Sequence, residues 1–287
     1  MDHNTLRHRL EGNYHTTMLA RNAANLLERL TPDGYLPESL TGTYGGMFPR
    51  TIGAMARLLE ELGLAARIRP MVDLVFRSMA ASGLERVPHV INKPDPATGI
   101  SSIMCSIDQI DGQAHVLLAW GMYAQAFPDD AWTRETYPFA RTLMNRSSDA
   151  PYLSRCTNWR IEPGLVINLH LEHSREWNMW AAYDFLSQSF VASALSAMET
   201  AARHMHDAAS AERWCERRTF LEKQIRANMV RNLDGKPVYA EMLLPTGKKP
   251  EFFPGLGWLN LAPIPSGWTG FDPAIFRNTL DAWPVRA

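Results

Sequence analysis

Six consecutive residues, Glu172-His173-Ser174-Arg175-Glu176-Trp177, bring two carboxylates, a guanidinium, an imidazole and an indole together. Glycosidic bond cleavage uses groups of this kind. One carboxylic acid protonates the leaving oxygen, and a second carboxylate activates water or attacks the sugar. A glutamate beside an indole and other apolar walls has its pKa raised and keeps a proton to donate. Glu172 is therefore the first candidate for the acid, and Glu176 its rival. The plainer alternative is that one of them caps the following helix and pairs with Arg175. His173 and Arg175 are candidate substrate contacts, and Trp177 a stacking platform.

Three further motifs share the property of standing just before a helical stretch: Gly42 to Thr51 (GTYGGMFPRT), Asp108 to Gln113 (DQIDGQ) and Glu251 to Trp258 (EFFPGLGW). Asp111 falls in the first turn of an apolar helix. There it is either an acid favoured by the helix dipole or a ligand for substrate hydroxyls, with Gln113 adding a contact. Arg50 places a cation at a helix start, against the dipole, and so calls for a partner: a sugar hydroxyl, an acidic sugar or Glu38. Tyr44 and Trp258 join Trp177 as stacking candidates.

The elements that must position these residues are mostly helices. Apolar residues recur at helical spacing over Leu6–Leu30, Ile52–Leu62, Ile68–Met79, Ile110–Phe127, Ala131–Asn145, Asn178–His206 and Ala208–Asn232. Asp272-Pro273 opens a last short helix as N-cap and N1 proline. Val238–Leu244 reads as a short strand. Val116–Tyr123 has no charged residue and Ala181–Met198 only Asp184, so both are expected to be buried nearly all round. Asp184 itself is expected to anchor a neighbouring loop. Ala208–Asn232, by contrast, has a narrow apolar stripe. Buried and amphipathic helices alternate, which fits inner helices covered by outer ones. In such an array the inner-helix N-termini open at one end, and the separate motifs would line one cleft.

Other chemistries have less support. No HExxH or Cys/His cluster backs a metal, and no GxSxG, P-loop or GxGxxG precedes a helix, so neither metal nor cofactor is expected. A net charge of −1 gives no field for nucleic acid. No apolar run reaches the ~20 residues of a membrane span. Three scattered cysteines and a start without an apolar leader point to a reduced, cytoplasmic chain.

Taken together, GGMFPRT (45–51), QIDGQA (109–114) and EHSREWNMWAAYDFLSQSFVASAL (172–195) resemble the loops and inner-helix openings of the six-hairpin glycosidases. The resemblance implies an all-α, (α/α)6 toroid. It implies hydrolysis of glycosidic bonds without a metal and often with inversion, and a carbohydrate partner. Two departures stand out. Arg50 is followed by Thr51 where many relatives have Asp. About eight helices are counted where the toroid has twelve, so residues 1–287 are expected to form a single but incomplete toroid with a short β segment near 238–244. Exposed inner helices would favour self-association, and Asp111, Glu241 or Glu251 would supply the second carboxylate. A sugar epimerase or polysaccharide lyase on the same fold would use His89, His115 or His173 instead. A non-catalytic carbohydrate-binding protein is the third reading.

Overall fold

Charge-free stretches of the chain become its inner helices. In the computed structural model, which describes residues 14–39, 45–105, 110–148, 164–172, 179–244 and 257–282, helix α1 is Tyr14–Arg29, α2 Ile52–Glu61 and α3 Ile68–Ala81. The pair β1 (Val90–Ile91) and β2 (Ile103–Cys105) precedes α4 (Ile110–Ala126) and α5 (Ala131–Ser148). Strands β3 (Asn168–Glu172) and β4 (Met179–Asp184) lead into α6 (Phe185–His204) and α7 (Ala208–Met229). Three short strands follow: β5 (Val230–Leu233), β6 (Lys236–Tyr239) and β7 (Met242–Leu243). The short α8 (Pro263–Ser266) and α9 (Pro273–Asp281) complete the described elements.

Helix α4 is buried from Ile110 through Ala124, and α6 from Phe185 through Leu195. They pack on each other, α4 also packs on α2, and α8 touches both α2 and α6. These four close a ring. Helices α3, α5 and α7 cover it from outside. The α4–α6 crossing is close because Gly121 faces Ala197: a Cβ on Gly121 would lie 2.7 Å from that of Ala197. Asp207 caps α7, accepting from Ser210 N and Oγ at 3.0 and 2.7 Å. Asp272 caps α9 through Ala274 N and Ile275 N. Gly63 and Gly83, both with positive φ, follow the ends of α2 and α3.

Two expected helices are corrected. The stretch 178–184 of the expected Asn178–His206 helix is strand β4 from Met179 on, and α6 starts at Phe185. Asp184 is thus its N-cap and not an interior residue. The expected Ala208–Asn232 helix ends at Met229, and the chain passes directly into β5. Strand β5 pairs with β6 through Asp234-Gly235, both at positive φ, the geometry of a two-residue hairpin turn. The expected 238–244 strand divides into the end of β6 and β7, and β7 joins β3 and β4 in a three-stranded sheet. Among the described residues no helix is long and apolar enough to cross a membrane.

Candidate active site

Three inner helices begin side by side. Before α2, Pro49–Thr51 forms a single 3-10 turn with proline at its first position. This turn lies against the first turn of α4, where a Cβ on Gly112 would come 3.9 Å from Arg50 N. Met47 exchanges backbone hydrogen bonds with Ile91, which fixes the preceding loop to β1. Phe48 then packs between two groups. His89 meets it edge-on with ring centroids 5.0 Å apart, and the Arg50 guanidinium lies 4.9 Å from its ring centre. Arg50 is thereby held at the mouth of the helix array, half-buried over an aromatic face.

Asp111, in the first turn of α4, is buried and accepts from Gly112 N at 2.9 Å. Asp184 ends β4 and caps α6. Its Oδ1 accepts from Ser187 N at 2.6 Å and its Oδ2 from Ser187 Oγ at 2.8 Å. Burial pushes the Asp184 carboxyl up to about 7; the Ser187 N–H opposes this and the nearby Asp111 charge adds to it. Glu241, also buried, sits at the same place, because its carbonyl accepts from Phe185 N at 2.9 Å and the next residue, Met242, pairs with Asp184. Two carboxylates, those of Asp111 and Asp184, therefore gather at the electropositive start of α6, with the Glu241 backbone beside them. Asn168 Nδ2 donates to Ser187 Oγ, and the Gln188 side chain bonds both N and O of Val166, tying the lead-in of β3 to the same helix.

One turn below Asp111, His115 stacks on Phe190 of α6. Burial, aided by the Arg50 charge, brings its pKa down to about 3. It is a neutral imidazole at neutral pH.

Of the residues expected from sequence, Arg50 and Asp111 thus come together. Gln113 turns away from them toward α5, where Ser147 Oγ donates to its Oε1 at 3.3 Å. Glu172 closes β3, its backbone opposite Met179. Strand β4 thus stands between the Glu172–Trp177 motif and α6 in the chain, so the motif does not directly precede that helix, which corrects the expected placement. Glu176, His173, Arg175, Trp177, Tyr44 and Glu251 lie outside the described residues, as do the side chains of Glu172 and Trp258. Sequence alone assigns Asp184 to a loop anchor and misses its place at the site. The signal is present in Asp184-Phe185-Leu186-Ser187, a capping residue with a hydroxyl three places on.

Compared with known proteins, the chain matches no protein-family model and no curated protein sequence. Solved structures do match. A metal-independent α-mannosidase from Streptococcus pneumoniae, in complex with α-1,6-mannobiose, superposes with a TM-score of 0.63 at 12% identity, over 93% of this chain and 71% of that one. A protein described simply as a glycosidase, solved as a point variant, gives 0.58 at 16% identity over 98% and 71%. A bacterial glucoamylase complexed with acarbose gives 0.54 at 14% identity over 84% and 35%. The chain has the α/α-toroid fold of these glycosidases. It spans about a third of the glucoamylase's length. In this toroid, Arg50, Asp111 and Asp184 stand where the inner helices open.

Proposed function

We propose that the protein is a glycoside hydrolase that works by carboxylate acid–base catalysis, without a metal and with inversion. The observation that carries this reading is the meeting of Arg50, Asp111 and Asp184, from three separate chain segments, at one end of a toroid whose solved neighbours are glycosidases. Glu172 or Glu176, both of which precede β4 in the chain, protonates the leaving oxygen. Asp111 or Glu241 takes a proton from the water that attacks the anomeric carbon, and Arg50 holds sugar hydroxyls. Asp184 has both oxygens on Ser187, so its part is to position the α6 start. Gln113 serves the α4–α5 contact.

The lyase or epimerase reading loses two of its three histidines. His115 does not take a proton near neutral pH, and His89 is buried edge-on to Phe48.

The test is reducing-sugar release from a panel of α- and β-linked oligosaccharides, with chelator present. Wild type should turn over one of them, and either Glu172→Gln or Glu176→Gln should lose about 100- to 10,000-fold in rate with the fold intact by circular dichroism. Absence of turnover on the whole panel by wild type would overturn the reading and favour a carbohydrate-binding protein.

A further inference from the structure

The inner helices carry a second polar compartment, at the other end of the ring. Along α4, Asp111, His115, Leu118, Met122 and Gln125 share one face at helical spacing. The corresponding lines are Gly53, Arg57 and Glu60 on α2, and Phe190, Ser193 and Ala197 on α6. The level of His115 is closed. Its ring lies 3.6 Å from that of Phe190, and a Cβ on Gly53 would sit 3.0 Å from its Nδ1. Both residues are buried. Above this plug lie Arg50 and Asp111. Below it is a cavity of about 180 Å³, bounded by α2, α4, α6, α7 and the segment after α8.

The cavity's chemistry is specific. Its two cations are already balanced: Arg57 pairs with Glu60 at 2.9 Å, and Arg218 with Glu199 at 3.1 Å and Glu222 at 3.7 Å. Glu199 is shared with Arg203 outside the cavity, and the charged groups that line the wall itself, Arg57, Glu60, Arg218 and Glu222, leave no net charge to select an ion. Instead the wall alternates donors and acceptors with the hydroxyls of Ser193, Ser196 and Thr200 and the amide of Gln125. Ser193 Oγ and Arg218 Nε lie behind this wall, buried and without a hydrogen-bond partner. Trp268 and Met122 add apolar surface. The Trp268 indole is fixed by its N–H donating to Glu222 Oε1 at 3.1 Å. Gly267, in the left-handed region, keeps the lip thin: a Cβ there would lie 3.0 Å from the Arg57 guanidinium.

We infer that this far-side cavity is a binding site for a small neutral polyol of about monosaccharide size, separate from the site at Asp111 and walled off from it by His115 and Phe190. Vicinal hydroxyls match alternating carboxylate and guanidinium edges, and the C–H groups of a polyol match the small apolar strip left by Met122 and the rim of Trp268. The inference does not rest on hydrolase activity. The experiment is saturation-transfer NMR on the full chain with D-glucose, D-mannose and glycerol as probes. It compares wild type with Ser193→Trp, which fills the cavity, Ser196→Trp, which covers it from an exposed position, and Asp111→Asn. At least one probe should bind saturably, and binding should fall at least tenfold in both tryptophan variants while surviving in Asp111→Asn. Because Ser196 is on the surface, its variant keeps the test valid if Ser193→Trp does not fold. Binding unchanged in Ser196→Trp, or no binding to wild type, overturns the inference whatever the outcome of the oligosaccharide assay.

Discussion

His115 of α4 and Phe190 of α6 lie face to face, their ring centroids 3.6 Å apart and their planes inclined by 19°. The imidazole is held neutral by burial, with a pKa of about 3 against 6.5 when unfolded. Between those values the unfolded chain binds a proton that the folded chain refuses, so stability from this group rises with pH up to about 6.5. Asp184 acts in the opposite sense. Folded, its pKa is about 7 against 3.8, so its contribution is fullest below about 3.8 and falls as pH rises to 7. The two slopes oppose each other in the wild type. His115→Phe keeps the ring contact and should gain in Tm over wild type most at pH 4 and least at pH 7. Asp184→Asn should show the reverse trend. Thermal melts from pH 4 to 7.5 read both, and a pH-independent offset in either variant would contradict that assignment.

The α4–α6 contact is limited by size. Gly121→Ala should cost about 1–3 kcal/mol, because its methyl falls 2.7 Å from Ala197 Cβ. Ala197→Gly opens the same space. In a double-mutant cycle by urea denaturation, the pair should be more stable than the sum of the single changes implies.

Asp207 caps α7 and also accepts from Tyr137 Oη at 2.8 Å and pairs with Arg141 at 3.3 Å. Burial works against its charge, but the hydrogen bonds from Ser210 and Tyr137 win and bring its pKa to about 2. Asp207→Ala should cost about 1–2 kcal/mol at pH 7. The wild-type advantage should shrink as pH drops from about 4 toward 2, since protonation removes the same interactions. Chemical denaturation at pH 7 and pH 3 measures the difference.

Arg50 stands at the mouth over Phe48. If it holds sugar hydroxyls, Arg50→Lys loses the planar fork and should lower kcat/KM by about tenfold or more. Phe48→Leu, which removes only the aromatic support, should have a smaller effect, mainly on KM. Equal activity of wild type and Arg50→Lys would remove Arg50 from substrate binding.

How much of this is legible in the sequence varies by element. The charge-free run Val116–Tyr123 announces a helix buried on every side, and α4 is one. The alternation with amphipathic helices announces two layers. The start of α6 is hidden because Ala182–Asp184 of β4 are buried, so the strand shows no polar alternation there and merges with the apolar helix behind it. The end of α7 is hidden because Met229 passes into Val230 with no breaker between them. At the site, Arg50 is legible as a cation at the wrong end of a dipole, and Asp111 as an acid at the right end. Gln113 is not, because the side of a helix turn that faces an outer neighbour depends on α5, which periodicity alone does not place. The place of the Glu241 backbone beside α6 depends on a bond to Phe185, 56 positions earlier in the chain, and no local pattern encodes it.

The plug at His115 and Phe190 has a kinetic corollary. On the proposed function, a sugar held above Asp111 meets the plug between α4 and α6 among the described residues, so it would retreat along the route by which it arrived. Product clearance and substrate arrival would then compete for the same doorway. The released sugar of such a hydrolase is expected to act as a competitive inhibitor, slowing turnover as it accumulates even while substrate remains abundant.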